Sequence, residues 1–278
     1  MKISLLTLTM NRGAMAQRCY RQNIEKCGIP RDQLELLVVD QGSTDRTVID
    51  FMASMQPEYH RLNLVNEGVA RGINQCLVRA TGDFFCLLAP DIELQQAGWL
   101  SELVGYAKCV PNAGIVGIKC TAEIPPLGCR KDRFGNDCIA HYLTEKVDKV
   151  FGTMLFSRQV LDQVGGFHEG FVGYGFEDSD FNNRVTLCGF HSLYVPYPNW
   201  SSAHIGDDCG ENSDYRRMKD EFLARNIGHF GQRHAAFLSK TLPIYDGLPA
   251  ARPPLESMDP LAPIDMSKVD LGLIRRTP

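Results

Sequence analysis

Apolar positions along the chain fall into short runs divided by polar turns, and their period changes from run to run. Residues 3–9, Ile-Ser-Leu-Leu-Thr-Leu-Thr, read as a first strand. Asn11-Arg12-Gly13 turns into a helix reaching about Cys27, where Gly28 and then Pro30 stop it. Residues 34–39 are a nearly continuous apolar run, as in a strand buried on both faces. Asp40-Gln41-Gly42-Ser43-Thr44-Asp45 is a turn. The helix after it, from about Arg46, carries Val48, Phe51, Met52 and Met55 on one face. A short strand is expected around 62–65 and a helix over 70–80. Residues 83–88 form another strand that ends at Ala89-Pro90-Asp91.

Strands alternating with helices predict an α/β chain with a Rossmann-like, mostly parallel central sheet flanked by helices. Such a sheet gathers the C-terminal ends of its strands along one edge, where ligands bind. The polar clusters after the first, second and fourth strands all fall there. From residue 96 the pattern loosens into one helix, a strand at 115–118 and a stretch rich in Pro, Gly and Cys. It sharpens again over 151–205. The chain divides into halves at 1–95 and 96–212, a helical region at 213–242 and a tail at 243–278. The tail holds seven of the 15 prolines, so an extended arm or disorder is expected there.

Composition narrows the function classes. With 278 residues the chain can bury a core without a disulfide or metal staple. Hydrophobic residues at 44% and charged residues at 22% exclude wholesale disorder and coiled coil. A net charge of −4 gives no global pull toward nucleic acid or acidic membrane. No apolar run approaches the roughly 20 residues that span a bilayer. The opening residues lack a cleavage site and read as a strand rather than a signal peptide. The ten cysteines are scattered without a C-x-x-C pair, and Cys120, Cys129 and Cys138 match no metal module. Reduced thiols in a cytoplasmic protein are the expectation.

Five constellations carry chemistry. In Asp40–Asp45 a strand-end carboxylate can accept from a base imide or a ribose, and a helix start can favour an anion. Taken alone, the same residues read equally as helix capping by Ser43 or Asp45. In Asn66-Glu67-Gly68-Val69-Ala70-Arg71-Gly72-Ile73-Asn74, Arg71 and Asn74 share a helix face, and a guanidinium there can hold a pyrophosphate. Asp91, directly after a buried strand, suits a hard divalent cation. The fourth is Gly173-Tyr174-Gly175-Phe176-Glu177-Asp178-Ser179-Asp180, in which three acids open a helix with Phe181, Val185 and Cys188 on one side. Carboxylates at the positive end of a helix favour their ionised form and can take a proton from a hydroxyl. The fifth is His204, a lone histidine that a strand could return toward Asp91.

In this order and spacing, the motifs resemble the nucleotide-sugar glycosyltransferases of the GT-A fold, glycosyltransferase family 2 above all. The acidic segment also resembles a galactosyltransferase C-terminal motif. The resemblance spans about residues 3 to 206. It implies that 1–95 is a nucleotide-sugar-binding half and 96–212 an acceptor-binding and catalytic half. Thr7, Thr9 and Arg12 would then line the nucleotide pocket. Asp40 would bind the base with Ser43 or Asp45 near it, and Gly68, Arg71 and Asn74 would sit by the diphosphate or ribose. Asp91 and His204 would ligate Mn²⁺ or Mg²⁺. Asp178 would be the catalytic base, with Glu177, Gly175 and Phe176 meeting the acceptor. Ala89 stands where the family's Asp-x-Asp motif has its first acid, so one metal or ribose contact is lost.

The resemblance implies inverting transfer from a nucleotide-diphosphate sugar, with a UDP-sugar the expected donor, to a hydroxyl acceptor. That acceptor is a glycan, a lipid-linked sugar or a nucleic acid. A binding-only relative without turnover is the competing class. A sugar-nucleotidyltransferase would need a glycine-rich loop after the first strand, and a nicotinamide dehydrogenase a G-x-G-x-x-G there. Thr9-Met10-Asn11-Arg12-Gly13 provides neither. Arg130-Lys131-Asp132-Arg133, within 119–150, is expected in the acceptor wall. The basic positions over 215–240 read as a solvated face or as contact with a phosphate-bearing acceptor.

Overall fold

The computed structural model describes residues 1–118, 141–143, 150, 152–195, 202–204 and 214–248. Its first half alternates β1 (Ile3–Thr9), α1 (Gly13–Glu25), β2 (Leu34–Asp40), α2 (Thr47–Met55), β3 (Tyr59–Leu62), α3 (Val69–Leu77) and β4 (Phe84–Leu88). There follow β5 (Ile92–Leu94), α4 (Trp99–Cys109), β6 (Ala113–Ile118), β7 (His141–Leu143), β8 (Thr153–Ser157) and α5 (Arg158–Val164). The described chain ends with α6 (Glu177–Leu187), β9 (His191–Val195), β10 (Ser202–His204) and α7 (Asp214–Leu238). The main sheet has the order β3-β2-β1-β4-β8-β6-β9-β7. Strands β3, β2, β1 and β4 run parallel, β8 enters antiparallel beside β4, and β6 pairs parallel with β9. A two-stranded piece, β5 with β10, stands apart.

The continuous apolar run in β2 has a simple cause. Successive side chains point to opposite faces, and both faces are covered. Leu36 and Val38 join Leu5, Tyr20, Phe51 and Trp99 in one core. Leu37 and Val39 join Leu6, Ile73, Val160 and Phe181 in the other. Each such side chain contributes about 1.5–3 kcal/mol by leaving water. Helices α1 and α2 cross closely because Gly13 has no side chain. A Cβ there would lie 2.1 Å from the Thr47 and Val48 backbone.

One expectation changes. The third strand lies at Tyr59–Leu62, not around 62–65. Leu64 and Val65 are 64% and 61% exposed, and the ladder with β2 closes at Asp40 and Leu62. The run Leu62, Leu64, Val65 is apolar but follows the strand instead of forming it. The sheet is mostly parallel, as expected, with antiparallel pairing where β8 inserts between β4 and β6. The tail is an ordered arm over 243–248, because Asp246 bridges the Gly165 backbone and bonds Val164 and Gly166. Residues 119–140, with Cys120, Cys129, Cys138 and Arg130–Arg133, lie outside the described residues, as do 249–278. Among the described residues no helix is long and apolar enough to cross a membrane.

Candidate active site

The parallel strands bring Thr9, Asp40 and Leu88 to one edge of the sheet. Asp40 is 2% exposed, and both of its oxygens are engaged. Oδ1 accepts from the Ser43 amide at 2.8 Å, and Oδ2 accepts from the Thr9 hydroxyl at 2.9 Å and from the Ser43 hydroxyl. Burial pushes the Asp40 carboxyl above its ordinary range, although the Ser43 and Thr9 bonds oppose this. Thr7 is fully buried, and its hydroxyl donates to the Leu88 carbonyl, bracing β1 against β4 below the edge. Asp45 caps α2 through the Thr47 amide and hydroxyl.

Asn11, in the left-handed region at φ 52°, holds these loops together. Its amide donates to Ser43 Oγ at 2.7 Å, and its Oδ1 accepts from the Thr44 and Asp45 amides. Gln41 does the same on the other side. Its Nε2 donates to the Gly68 carbonyl at 2.9 Å, and its Oε1 accepts from the Glu67 amide at 3.0 Å.

After β4, Asp91 is 6% exposed and forms an ion pair with Arg12 Nη1 at 2.5 Å. The backbone of His204 pairs with Ile92, the residue next to Asp91. No cluster of three His, Cys, Asp or Glu stands among the described residues. Asp91 is thus the described carboxylate at this strand end, and the backbone of β10 runs beside it. That fits a hard cation that takes its remaining oxygens from water and phosphate.

Helix α3 faces the second half of the chain. Gly68, at φ 90°, precedes Val69, whose amide donates to the Gly173 carbonyl at 2.8 Å. The Arg71 side chain is 37% exposed and pairs with Glu169 at 3.0 Å and with Glu67 at 3.9 Å. Asn74 faces Phe167 rather than the strand ends. It is 1% exposed, and its amide donates to the Phe167 carbonyl and accepts from the Phe167 amide.

The three acids at the start of α6 separate. Asp178 is half-buried, and its Oδ1 accepts from the Ser179 amide and hydroxyl. Glu177 is 6% exposed. Asp180 is fully buried between two arginines, with Arg184 Nε at 2.7 Å and Arg233 Nε at 2.8 Å. The fully buried Arg184 also donates to the Val164 and Gly166 carbonyls, and Arg233 reaches Asp246.

The loop before these acids needs its glycines. Gly173 and Gly175 have φ of 73° and 96°, and a Cβ on either would meet Phe222 or Leu223 of α7 within 2.5 Å. Phe176 takes φ 71° and packs on Phe230. Two links set this region beside the end of β4. Asn182, one turn after Asp178, donates to the Asp178 and Val150 carbonyls. The neighbouring Gly152 carbonyl accepts from the Ala89 amide.

The model described as glycosyl transferase family 2 matches residues 4–165, more than half of the chain. The chain belongs to glycosyl transferase family 2. A second model, described as the N-terminal domain of galactosyltransferase, matches residues 141–203. Among solved structures, the chain is similar to the mannosyltransferase PcManGT from Pyrobaculum calidifontis in complex with GDP-Man and Mn²⁺. The two are 21% identical, with a TM-score of 0.58, over 75% of this chain and 58% of that one. It is also similar to S. aureus TarS 1–349 in complex with UDP, at 19% identity and a TM-score of 0.56, over 87% and 73% of the two chains. These likenesses establish the GT-A fold. The uncharacterized protein y4gI of Sinorhizobium fredii (strain NBRC 101917 / NGR234) is 22% identical over 69% of this chain. The chain spans about a quarter of that relative's length, 24%.

Several residues that shape the site of this family 2 chain carry no local sequence signal. Gln41 lies inside the expected turn but reaches forward to Gly68. Arg184 reads as an ordinary helical arginine, and its full burial follows from partners on three segments. For Asn11 a signal existed, since asparagine tolerates positive φ and bonds nearby backbone.

Proposed function

We propose that this chain is an inverting glycosyltransferase that moves a sugar from a nucleotide-diphosphate donor to an acceptor hydroxyl. One observation carries the reading. The acid-bearing loop 173–178 is bonded directly to the strand-end loops through Val69 and Gly173, and through Asn182, Val150, Gly152 and Ala89. These bonds support a site in which the half-buried Asp178 works together with Thr9, Asp40, Ser43 and Arg12 at the strand ends.

In this mechanism Asp178 takes the proton from the acceptor hydroxyl as its oxygen attacks the anomeric carbon. The sugar–phosphate bond breaks in the same displacement, and the configuration inverts. Glu177, Gly175 and Phe176 border the acceptor. Ser43, with Asp40 and Thr9 behind it, meets the nucleoside, and Arg12 and Arg71 face the diphosphate. Asp91 with His204 would hold Mn²⁺ or Mg²⁺, whose chemistry is to offset the charge on the departing diphosphate. Gly68 gives the backbone its close approach at the diphosphate, and Asn74 holds α3 in place through Phe167. A UDP-sugar is the donor we favour. A glycan hydroxyl is the acceptor we favour over a lipid-linked sugar or nucleic acid. Cytoplasmic action agrees with the free thiols of Cys19, Cys27, Cys76, Cys86, Cys109 and Cys188.

The test is Asp178→Asn. It abolishes transfer, and slow donor hydrolysis with it, while nucleotide-sugar binding by calorimetry is unchanged. Turnover that survives in the variant overturns the assignment. A binding-only relative is the second reading, favoured by the Arg12–Asp91 ion pair at the cation position and by Ala89. It predicts donor binding without any release of nucleoside diphosphate.

A further inference from the structure

The acid-bearing loop does not hold itself. Gly173, Gly175 and Phe176 all sit at positive φ, which for Phe176 is an uncommon and strained conformation. Such a loop persists only when its surroundings determine it. Much of that surrounding is α7, and its hydrogen bonds to the loop come from one side chain. Asn226 is 1% exposed, and its single amide group donates to the carbonyls of Val172 at 3.0 Å, Tyr174 at 3.1 Å and Gly175 at 3.0 Å. Phe222 and Leu223, one turn earlier on α7, fill the space left by the missing side chains of Gly173 and Gly175. Arg233, seven residues further on, grips Asp180 within the first turn of α6. Together they hold the segment carrying Glu177 and Asp178 from both sides.

We propose that Asn226 is a positioning residue for the catalytic base. By gathering three loop carbonyls onto one amide, it sets the backbone from which Glu177 and Asp178 project. The side-chain hydrogen bonds of Asn226 run to the acid-bearing loop, and Thr9, Asp40, Ser43 and Arg12 lie on other elements. The inference rests on Asp178 acting as the base. Loss of Asn226 therefore lowers kcat and spares donor affinity.

The experiment compares wild type, Asn226→Ala and Asp178→Asn. Each is first confirmed as folded at the assay temperature by its melting curve. A panel of UDP-, GDP- and dTDP-sugars is used, and both donor binding and released nucleoside diphosphate are measured. A base misplaced by about 1 Å costs on the order of 100-fold, so Asn226→Ala should lose about that much in kcat with donor KM unchanged. A lowered melting temperature with kcat intact overturns the inference and makes Asn226 a stability residue only. A raised donor KM with kcat unchanged also overturns it. If Asp178→Asn retains turnover, the parent reading fails instead, and the two failures are distinct. If Asn226→Ala does not fold, Asn226→Ser, which keeps one donor in place of the amide, is measured instead, and the same split between kcat and KM decides.

Discussion

Asp178 and Asp180 are two residues apart on one helix, yet they are predicted to fail in opposite ways. Asp180→Asn keeps the shape of the side chain and removes its charge. Arg184 and Arg233 then face a neutral amide, with side-chain exposures of 0% and 9%. Breaking a buried ion pair by removing one partner costs about 3–5 kcal/mol. Arg184 keeps the Val164 and Gly166 carbonyls, and Arg233 keeps Asp246, so the lower end, about 3 kcal/mol, is expected. That is a large share of the roughly 5–15 kcal/mol that separates folded from unfolded domains. At about 2–4 °C per kcal/mol for a domain of this size, the melting temperature should fall by about 6–12 °C.

Urea unfolding of Asp180→Asn, Asp178→Asn and wild type reads this directly. The half-buried Asp178 should cost about 1 kcal/mol or less. A double-mutant cycle between Asp180 and Arg233 isolates their coupling from the rest of the network. A loss below about 1 kcal/mol in Asp180→Asn refutes the buried-pair argument, because it would mean water or a rearranged arginine replaces the carboxylate at little cost.

The remaining predictions concern pH and metal. Burial raises the pKa of Glu35, but bonds from Ser4, the Thr81 amide and Lys2 outweigh it, so its carboxyl lies below the ordinary range. Its stabilisation is full above the unfolded value, about 4.3, and is lost as pH falls through the lower native pKa. Glu35→Gln should therefore be less stable than wild type at neutral pH, with the gap closing in acid, and an acid limb identical to wild type would remove Glu35 as a contributor. Donor at about 100 times its dissociation constant should add about 2.7 kcal/mol of stability. Removal of Mn²⁺ or Mg²⁺, or Asp91→Ala, should reduce that gain, and an undiminished metal-dependent shift in Asp91→Ala would exclude Asp91 as a ligand.

How far the sequence could be read depended on how local each interaction is. The strand at Leu34–Asp40 was legible because both faces are covered, and its composition reports that directly. The turn at Asp40–Asp45 was legible from its residue types, but that Ser43 bonds Asp40 rather than a helix end was not. The strand at Tyr59–Leu62 was displaced because an edge strand of half-exposed residues precedes a more apolar but exposed turn. The division of labour among Glu177, Asp178 and Asp180 was not legible. It is set by Arg233, which lies 53 residues beyond Asp180 and has no local signature. Arg71 and Asn74 share a helix face, as their spacing implies, and both bond Glu169, but that this face meets Glu169 and Phe167 more than 90 residues away had no local signal.

The same contrast bears on how the two halves of the site are built. The donor wall comes from short segments at the ends of adjacent parallel strands, and the sheet register alone brings Thr9 beside Asp40. The acid loop has no such scaffold. Its conformation is strained at Phe176, and its bonds run to Asn226, while Asp180 binds Arg233 and Arg233 in turn binds Asp246 of the arm. Strain of this kind persists only under constraint from outside the strained segment. If Asp178 acts as proposed, its chemistry depends on α7 and the arm, which lie beyond both matched family segments. Substitutions there that leave the core intact are expected to act on turnover before they act on donor binding.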